Sequence, residues 1–215
     1  MSETDTINDL VEYTRLLYER HLVHAEGGNT SLRTGDEVWI TRTGVVLGQA
    51  TEADLTRLSL EGEVLEGPKP SKEWPMHLAF YRARPEVQAV IHIHPTYSIA
   101  YSTTVEPSLD AVPAYSSAVY RRAGRVPMIP YYPVGSPELF EAITALAPHF
   151  PCTLLRQHGL TVASSSLSSA MGIVEEIEQA CHIALLTYGK GKPLSMAEKD
   201  AIDQRQGRTW PAAVS

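Results

Sequence analysis

Two histidines, His92 and His94, are separated by a single residue in the apolar run at 89–94. Alternate side chains of a β-strand point to the same face, so this spacing predicts two imidazoles side by side. Catalytic zinc sites commonly use three protein ligands and leave a further position open. His158 is the candidate third ligand, because Gly159 follows it in a later apolar segment and lets the backbone approach another group closely.

Five other histidines compete for the same role. A lone histidine in a strand is more often structural than a ligand, so the spacing alone leaves both interpretations open. The competitors are His21, His24, His77, His149 and His182.

An acidic residue, Glu73, follows Ser71 at the start of a predicted helix. Ser71 is a suitable hydroxyl cap, and Pro75 is favoured in a first helical turn. An acidic side chain there is explained by the helix dipole alone. Beside a divalent cation, however, the same carboxylate could serve as a general base, so its role depends on the metal.

Three small polar clusters are rich in the backbone and hydroxyl donors that bind phosphate. Each is also an ordinary turn, and none has the spacing of a Walker or dinucleotide-binding loop. Anion binding and turn formation both remain open for the clusters at residues 27–31, 41–44 and 70–72.

The elements that position these residues follow from hydrophobic periodicity. Apolar residues at three- and four-residue steps predict a helix from Thr6 to about Leu22. Alternating runs around glycine-containing turns predict two hairpins, at 30–32 with 37–41 and at 58–60 with 64–65. Strands are predicted at 87–94 and at 153–162, the latter broken by Gly159, and helices at 73–81, 137–146 and 167–188.

This order of elements predicts an α/β fold in which a mixed sheet is covered by helices on both faces. We expect a single domain over residues 1–215, with a core at about 7–190 and a polar, mobile tail after Lys190. The two cysteines, Cys152 and Cys181, have apolar neighbours and are predicted to be reduced and buried.

The 215-residue chain has a net charge of -7, which argues against general attraction to nucleic acid or anionic membranes. An anionic ligand must therefore be bound by local donors. We expect no membrane-spanning segment, because no apolar run approaches about 18 residues. The polar start of the chain at residues 1–5 lacks the layout of a signal peptide, which predicts a cytoplasmic location.

Taken together, five motifs resemble the class II aldolase/adducin family over roughly residues 7 to 190. The resemblance implies a three-layer α/β/α fold with a mixed, largely antiparallel sheet. It also implies Zn2+, or another divalent cation such as Mn2+, on His92, His94 and His158, and a homotetramer with active sites between subunits. The motifs are Gly28-Asn29-Thr30-Ser31, Thr41-Arg42-Thr43-Gly44, Pro70-Ser71-Lys72-Glu73, His92-Ile93-His94 and Gln157-His158-Gly159.

The same resemblance implies roles for further residues. Glu73 resembles the catalytic acid–base, and Tyr115 resembles a tyrosine that reaches a neighbouring subunit's site as a proton donor. The residues that would bind substrate, chiefly its phosphate, are Gly28, Asn29, Thr43, Gly44, Ser71 and Lys72.

For the reaction, the resemblance implies a lyase acting on a small phosphorylated sugar or oxo-acid. The default is aldol cleavage through a metal-stabilised enediolate, which releases dihydroxyacetone phosphate and an aldehyde. The alternative is decarboxylation of a 3-oxo-tetronate 4-phosphate-like acid, because Lys72 and the run at 124–132 look closer to that branch of the family. The fuculose-phosphate aldolase branch tends to have a second serine in place of Lys72 and a C-terminal tyrosine where this chain has Trp210.

Three further alternatives stay open. A sugar-phosphate epimerase is disfavoured because that branch tends to have aspartate in place of Glu73. A non-catalytic module like the adducin head domain is disfavoured because the histidines and Glu73 are all present. A metal hydrolase or oxygenase with an HxH strand would use similar ligands.

Overall fold

The computed structural model of this chain describes residues 3–213. Within them, the chain forms eight β-strands and seven α-helices. The strands are β1 (Asn29–Thr34), β2 (Glu37–Thr41), β3 (Leu55–Ser59), β4 (Val64–Glu66), β5 (Ala89–Ile93), β6 (Met128–Ile129), β7 (Cys152–Leu155) and β8 (Gly159–Ser164). The helices are α1 (Glu3–Glu19), α2 (Trp74–Ala83), α3 (Thr96–Ser102), α4 (Ser117–Ala123), α5 (Pro137–Leu146), α6 (Leu167–Leu186) and α7 (Met196–Gln206).

All eight strands form one sheet in the order β4-β3-β2-β1-β5-β8-β7-β6. Neighbouring strands are antiparallel except β6 and β7, which are parallel. The central strand β5 pairs with β1 on one side and with β8 on the other, and both pairs are antiparallel. Strands far apart in sequence therefore meet where His92 and His94 lie.

Two hydrophobic clusters, one on each face of the sheet, form the core. Because side chains alternate along a strand, Ile91 packs with α1, α3, α4 and α6, whereas Val90 packs with α2 and α5. The same alternation separates Val162 from Ala163 on β8. The predicted three-layer α/β/α architecture with a mixed, largely antiparallel sheet is confirmed.

Most of the predicted elements are present with shifted ends. Both hairpins form, and Gly35 adopts the positive φ of 62° that its tight turn requires. The single strand predicted at 153–162 is wrong, because it is two antiparallel strands, β7 and β8, joined by the turn at 156–158. The helices α3 and α4 were not predicted from the sequence. Both are only seven residues long, which gives periodicity little to act on.

The prediction of a mobile tail after Lys190 is also wrong, because α7 is an ordered helix that packs on the domain. Ser195 and Glu198 form a capping box at its start. Lys199 is buried and forms an ion pair of 2.6 Å with Asp110. Asp203 accepts hydrogen bonds from Tyr120 Oη and from Trp210 Nε1, each at 2.7 Å. Polar side chains anchor this segment, so a search for apolar periodicity does not find it.

The remaining expectations are simpler. No helix among residues 3–213 combines the length and apolarity needed to cross a membrane. Cys152 and Cys181 are both free and buried, as predicted. Burial raises the pKa of the Cys152 thiol to about 12, so this thiol is unreactive at neutral pH.

We predict that Asp203→Ala lowers the free energy of unfolding by about 2–4 kcal/mol, because it leaves the buried donors of Tyr120 and Trp210 without an acceptor. Urea denaturation followed by circular dichroism measures the change. Asp200→Ala, at an exposed position of the same helix, is the matched control and should change stability by less than about 0.5 kcal/mol. Equal effects of the two substitutions would contradict the proposed anchor.

Candidate metal centre and acid–base site

Four side chains from three parts of the fold converge at one point. His92 lies near the end of β5, His94 lies just beyond it, and His158 lies in the turn between β7 and β8. Glu73 comes from the start of α2 on the same side of the sheet as Val90. One potential ligand atom from each of the four residues lies within 4.8 Å of all the others.

The separations between these atoms fit a divalent cation. The Nε2 atoms of His92 and His94 are 3.1 Å apart, and the Glu73 oxygens lie 3.4 Å from His92 Nε2 and 3.3 Å from His158 Nε2. Ligands at 2.0–2.1 Å from a tetrahedral ion are separated from one another by about 3.3 Å. The three Nε2 atoms and the Glu73 carboxylate therefore surround a volume of the size that a metal ion requires.

Unpartnered polar atoms point to the same conclusion. Among the described residues, Glu73 Oε1 and both ring nitrogens of His158 are buried without a hydrogen-bond partner. Leaving such groups unpaired costs about 1–3 kcal/mol each, so native proteins rarely do so without a ligand. A bound cation would satisfy His158 Nε2 and could satisfy Glu73 Oε1. The donor set thus fits the predicted metal, whereas the choice of zinc or manganese stays a prediction.

The pKa shifts in the cluster favour the protonation states that bind a metal, which are a neutral imidazole and an ionised carboxylate. Burial lowers the pKa of His94 to about 4 and that of His92 well below its usual range, so both imidazoles are neutral at pH 7. Burial alone would raise the pKa of Glu73, but the adjacent His92 and His158 and a hydrogen bond from Asn29 hold it below its usual range. The site therefore presents His92 and His94 as neutral imidazoles and Glu73 as a carboxylate anion.

The cross-strand pairing of β5 and β8 orients His92. Thr161 lies directly opposite His92, and its Oγ1 is 3.0 Å from His92 Nδ1. With a metal on Nε2, the proton would sit on Nδ1, which would donate a hydrogen bond to the Thr161 hydroxyl. This contact holds the His92 ring in the orientation that points Nε2 into the cluster.

Glycines on either side of His94 give its ring the space it occupies. A Cβ atom at Gly27 would lie 2.8 Å from His94 Nδ1, and one at Gly159 would lie 2.3 Å from the carbonyl oxygen of Ile93. Gly28 has a φ of 87°, and its Cβ would lie 2.8 Å from the carbonyl oxygen of His92. Gly28 was predicted to shape a phosphate loop, and in the structure it also lets β1 approach the histidine strand.

Glu73 was predicted to lie in the first turn of α2. In the structure it is instead the residue that caps this helix. Its amide donates to Ser71 Oγ at 3.3 Å, and the Ser71 amide donates to the Thr41 carbonyl at 3.1 Å. The Glu73 side chain makes no capping hydrogen bond with the helix. It points instead into the cluster, so the helix dipole alone does not explain this residue.

The three polar clusters of the sequence are neighbours in the fold. The amide of Thr43 donates to the Lys69 carbonyl at 3.2 Å, and the amide of Thr30 donates to Thr41 Oγ1, also at 3.2 Å. The predicted substrate-binding residues consequently lie on adjoining segments beside Glu73. Their binding of phosphate stays a prediction for Gly28, Asn29, Thr43, Gly44, Ser71 and Lys72.

Tyr115 lies in another part of the chain. It is partly buried against the core and lines an apolar cavity of about 580 Å³ together with Tyr101 and Tyr188. A Cβ at Gly191 would lie 2.6 Å from its ring. This location leaves its predicted role in a neighbouring subunit's site untested.

Trp210, the aromatic residue of the tail, stacks on Phe150 with ring centroids 5.5 Å apart.

Sequence reasoning missed the hydrogen-bonding residues behind the cluster. Asn29, predicted to bind phosphate, donates its amide to Glu73 Oε2 at 2.9 Å, and its Oδ1 is 2.6 Å from His77 Nε2. His77 had been treated as a competing ligand. Its position four residues after Glu73 on one face of α2 was the available signal, because residues at i and i+4 are neighbours on a helix.

A sheet that holds three imidazoles and one carboxylate around a single point, with donor-rich loops beside it, defines a candidate metal-dependent acid–base site. The family model described as Class II Aldolase and Adducin N-terminal domain matches residues 8–185. The chain belongs to this class II aldolase/adducin family.

Individual relatives have two different activities. A 3-oxo-tetronate 4-phosphate decarboxylase of Haemophilus influenzae is 35% identical over 184 residues, covering 84% of this chain and 87% of the relative. An L-fuculose phosphate aldolase of Methanococcus vannielii is 32% identical, covering 83% and 97%. The solved structure of YgbL from Klebsiella pneumoniae, described as an aldolase, epimerase or decarboxylase, has a TM-score of 0.89 at 30% identity, covering 94% and 99%.

We predict that Thr161→Val weakens zinc binding about tenfold, because the His92 ring loses the hydrogen bond that holds its orientation. Competition against a chromogenic chelator measures the affinity. Thr153→Val on β7 is the matched control: its buried hydroxyl has no hydrogen-bond partner among the described residues, and its loss should leave the affinity within about twofold. If Thr161→Val binds zinc as tightly as the unmodified protein, the hydroxyl does not orient the ligand.

Proposed function

We propose that this protein is a metal-dependent lyase that breaks a carbon–carbon bond next to the carbonyl group of a small phosphorylated ketose or oxo-acid. The observation that supports this most directly is the position of Glu73. Its carboxylate lies 3.3–3.4 Å from the Nε2 atoms of two imidazoles, and its Oε1 has no hydrogen-bond partner among the described residues. An acid–base group beside a cation site is what such a reaction requires.

The chemistry divides between the cation and the protein. His92, His94 and His158 would hold a divalent cation, which would supply Lewis-acid polarisation of the substrate carbonyl and stabilise the negative charge left by bond cleavage. Glu73 starts as a carboxylate, takes up a proton from the substrate hydroxyl or from water, and gives it to the carbon that retains the bonding electrons. In the reverse direction it removes a proton from that carbon. Asn29 holds the other carboxylate oxygen, Oε2, in place.

The loops next to Glu73 are suited to the phosphate group. Backbone hydrogen bonds place the segments that carry the hydroxyls of Thr43 and Ser71 next to each other, close to Glu73 in the chain. Hydroxyl donors bind phosphate without requiring a net positive protein. With a net charge of -7, the protein depends on this local donor set to attract an anion. The exposed Lys72 adds one positive charge beside these loops.

The two candidate reactions differ in the group that leaves. In aldol cleavage an aldehyde departs and dihydroxyacetone phosphate is retained. In decarboxylation carbon dioxide departs from a 3-oxo acid phosphate, and the electrons of the broken bond remain on the carbon that Glu73 protonates. Lys72 favours the second reaction, because an ammonium group could hold the substrate carboxylate before cleavage. The decarboxylase relative from Haemophilus influenzae supports the same choice.

The assembly and location of the enzyme belong to the same proposal. We expect a cytoplasmic homotetramer in which Tyr115 reaches a neighbouring subunit's site as a proton donor. An epimerase is a weaker alternative, because that branch tends to have aspartate in place of Glu73. A non-catalytic adducin-like role is weaker because the three histidines and Glu73 are all present in one cluster.

We predict that Glu73→Gln retains the metal but slows proton exchange at least about a hundredfold, because an amide cannot accept the proton. Zinc-loaded protein is incubated with dihydroxyacetone phosphate in heavy water, and NMR follows the loss of one hydroxymethyl proton signal. His94→Ala should lose both metal and exchange. Glu12→Gln, at an exposed position of α1, is the control and should exchange at the normal rate.

Full exchange by Glu73→Gln would remove Glu73 from the acid–base role. An absence of exchange in the unmodified, metal-loaded protein would count against enediolate chemistry on this substrate and would favour the other candidate roles.

We predict that Lys72→Ser lowers kcat/KM for a 3-oxo-tetronate 4-phosphate by about tenfold or more, because the substrate carboxylate loses its partner charge. Release of carbon dioxide, coupled to a bicarbonate assay, measures the rate. Lys69→Ser removes a neighbouring exposed lysine and should have little effect. Equal rates for both variants would exclude Lys72 from recognition of the carboxylate.

A further inference from the structure

A chain of buried polar side chains runs from Glu73 into the interior between α2 and β1. Glu73 caps α2, and His77 and Tyr81 follow it at four-residue steps along one face of that helix. Asn29 and Ser31 are two residues apart and share one face of β1. The two stripes interdigitate, so that each polar group of one contacts a polar group of the other.

Four short contacts, of which the Asn29–Glu73 hydrogen bond is the first, join this series. Asn29 Nδ2 is 2.9 Å from Glu73 Oε2, and Asn29 Oδ1 is 2.6 Å from His77 Nε2. Ser31 Oγ is 2.7 Å from His77 Nδ1 and 2.7 Å from Tyr81 Oη. We call these five residues the α2–β1 hydrogen-bond series.

The carboxylate at one end determines the direction of every donor. A carboxylate only accepts, so the Asn29 amide nitrogen must face Glu73 and its oxygen must face His77. His77 Nε2 therefore carries the proton. Burial lowers the pKa of His77 to about 4, so the ring is neutral and its Nδ1 accepts from Ser31. Ser31 has only one proton to give, and it must accept in turn from Tyr81.

The cost of this arrangement indicates that it serves more than stability. His77 and Ser31 are fully buried, and Tyr81 and Asn29 are nearly so. Buried polar groups cost free energy unless every one is hydrogen-bonded, and apolar side chains of similar size would fill the space between α2 and β1 without that requirement. A fully satisfied buried series of this kind instead fixes one geometry.

The series is not a proton path. An amide group does not readily pass a proton from its oxygen to its nitrogen, so Asn29 interrupts transfer between His77 and Glu73. What the series can transmit is orientation. With Oε2 held by Asn29, the other oxygen of Glu73, Oε1, is the one without a hydrogen-bond partner.

We propose that His77 is a positioning residue that acts through Asn29 to hold Glu73 Oε2, so that Oε1 is the atom that carries the proton in the reaction. Ser31 donates to the unprotonated Nδ1 that this tautomer leaves on His77, and Tyr81 completes the series at its inner end. This inference rests on the proposed acid–base function of Glu73, but the tautomer of His77 can be measured without any substrate.

The first test is a measurement on the unmodified full chain. Nitrogen-15 NMR of the histidine side chains, assigned with a His77→Gln variant, should show His77 with a proton on Nε2 and none on Nδ1 at neutral pH. The inference is overturned if Nδ1 carries the proton or if both nitrogens do. The preference should remain in both Ser31→Ala and Tyr81→Phe, because Asn29 Oδ1 still accepts from Nε2 in either variant.

The second test is kinetic and uses the zinc-loaded variants in the proton-exchange assay. His77→Leu removes the donor to Asn29 and should lower kcat by about tenfold to a hundredfold while changing KM by less than about threefold. His77→Gln places an amide N–H near the position of Nε2 and should recover part of that loss. Metal content should equal that of the unmodified protein in both variants.

The matched control is Tyr120→Phe, which breaks another buried tyrosine hydrogen bond, at 2.7 Å to Asp203, outside the series. It should keep kcat within about twofold of the unmodified value. Should His77→Leu fail to fold, Ser31→Ala takes its place, with an expected loss of kcat of about threefold or more. The proposal is overturned if the series variant lowers kcat no more than Tyr120→Phe, or if His77→Gln recovers nothing relative to a folded His77→Leu.

Failure of this inference is distinguishable from failure of the proposed function. If the unmodified enzyme does not exchange protons with dihydroxyacetone phosphate, kinetics move to the 3-oxo acid phosphate, and the tautomer measurement stands unchanged. The predicted tautomer combined with normal kcat in a folded His77→Leu would overturn the positioning role while leaving the catalytic role of Glu73 intact.

Discussion

The structure depends on the compensation of one buried carboxylate. Removing an ionised group from water is costly unless it is paired and hydrogen-bonded, so Glu73 can remain an anion only where its surroundings stabilise it. The neighbouring imidazoles, the amide of Asn29 and a bound cation all contribute to that stabilisation. The strand order, the glycines beside His94 and the turn before α2 can each be understood as placing these partners within reach.

The pairing of the central strand β5 with β1 and β8 places side chains that support Glu73 and His92. This strand is antiparallel to both neighbours, and the register of each pair places a useful side chain opposite His92: Asn29 on β1 and Thr161 on β8. A slip of one residue would turn these side chains to the opposite face of the sheet. One register therefore orients a metal ligand through Thr161 and an acid–base group through Asn29. The function depends on strand pairing as much as on the identities of the residues.

The sequence predicted the parts that repeat locally and missed those that depend on distant pairing. The two hairpins, the helix at 137–146 and the three-histidine set were predicted because periodicity, turn residues and motif order are local or collective signals. The role of Thr161 was not predicted, since it requires the pairing of β5 with β8. The helix α7 was missed because buried polar contacts, such as the pair of Lys199 with Asp110, hold it in place. The spacings of the five-residue series that includes Glu73 were visible in the sequence, at four-residue steps along α2 and a two-residue step along β1. The contacts between the two sets could not be predicted, because they depend on the packing of α2 on β1.

The arrangement of the ligands along the chain has a consequence for folding. His94 and His158 are separated by a long stretch that includes α3, α4 and α5, and closing so long a loop costs entropy before any contact offsets it. The three imidazoles can converge only after β5 and β8 have paired. A cation that needs all three imidazoles therefore binds only after this pairing. Once bound, it cross-links distant segments and stabilises the native state by mass action. The availability of metal should thus influence how long the centre of the sheet stays closed, in addition to whether the enzyme is active.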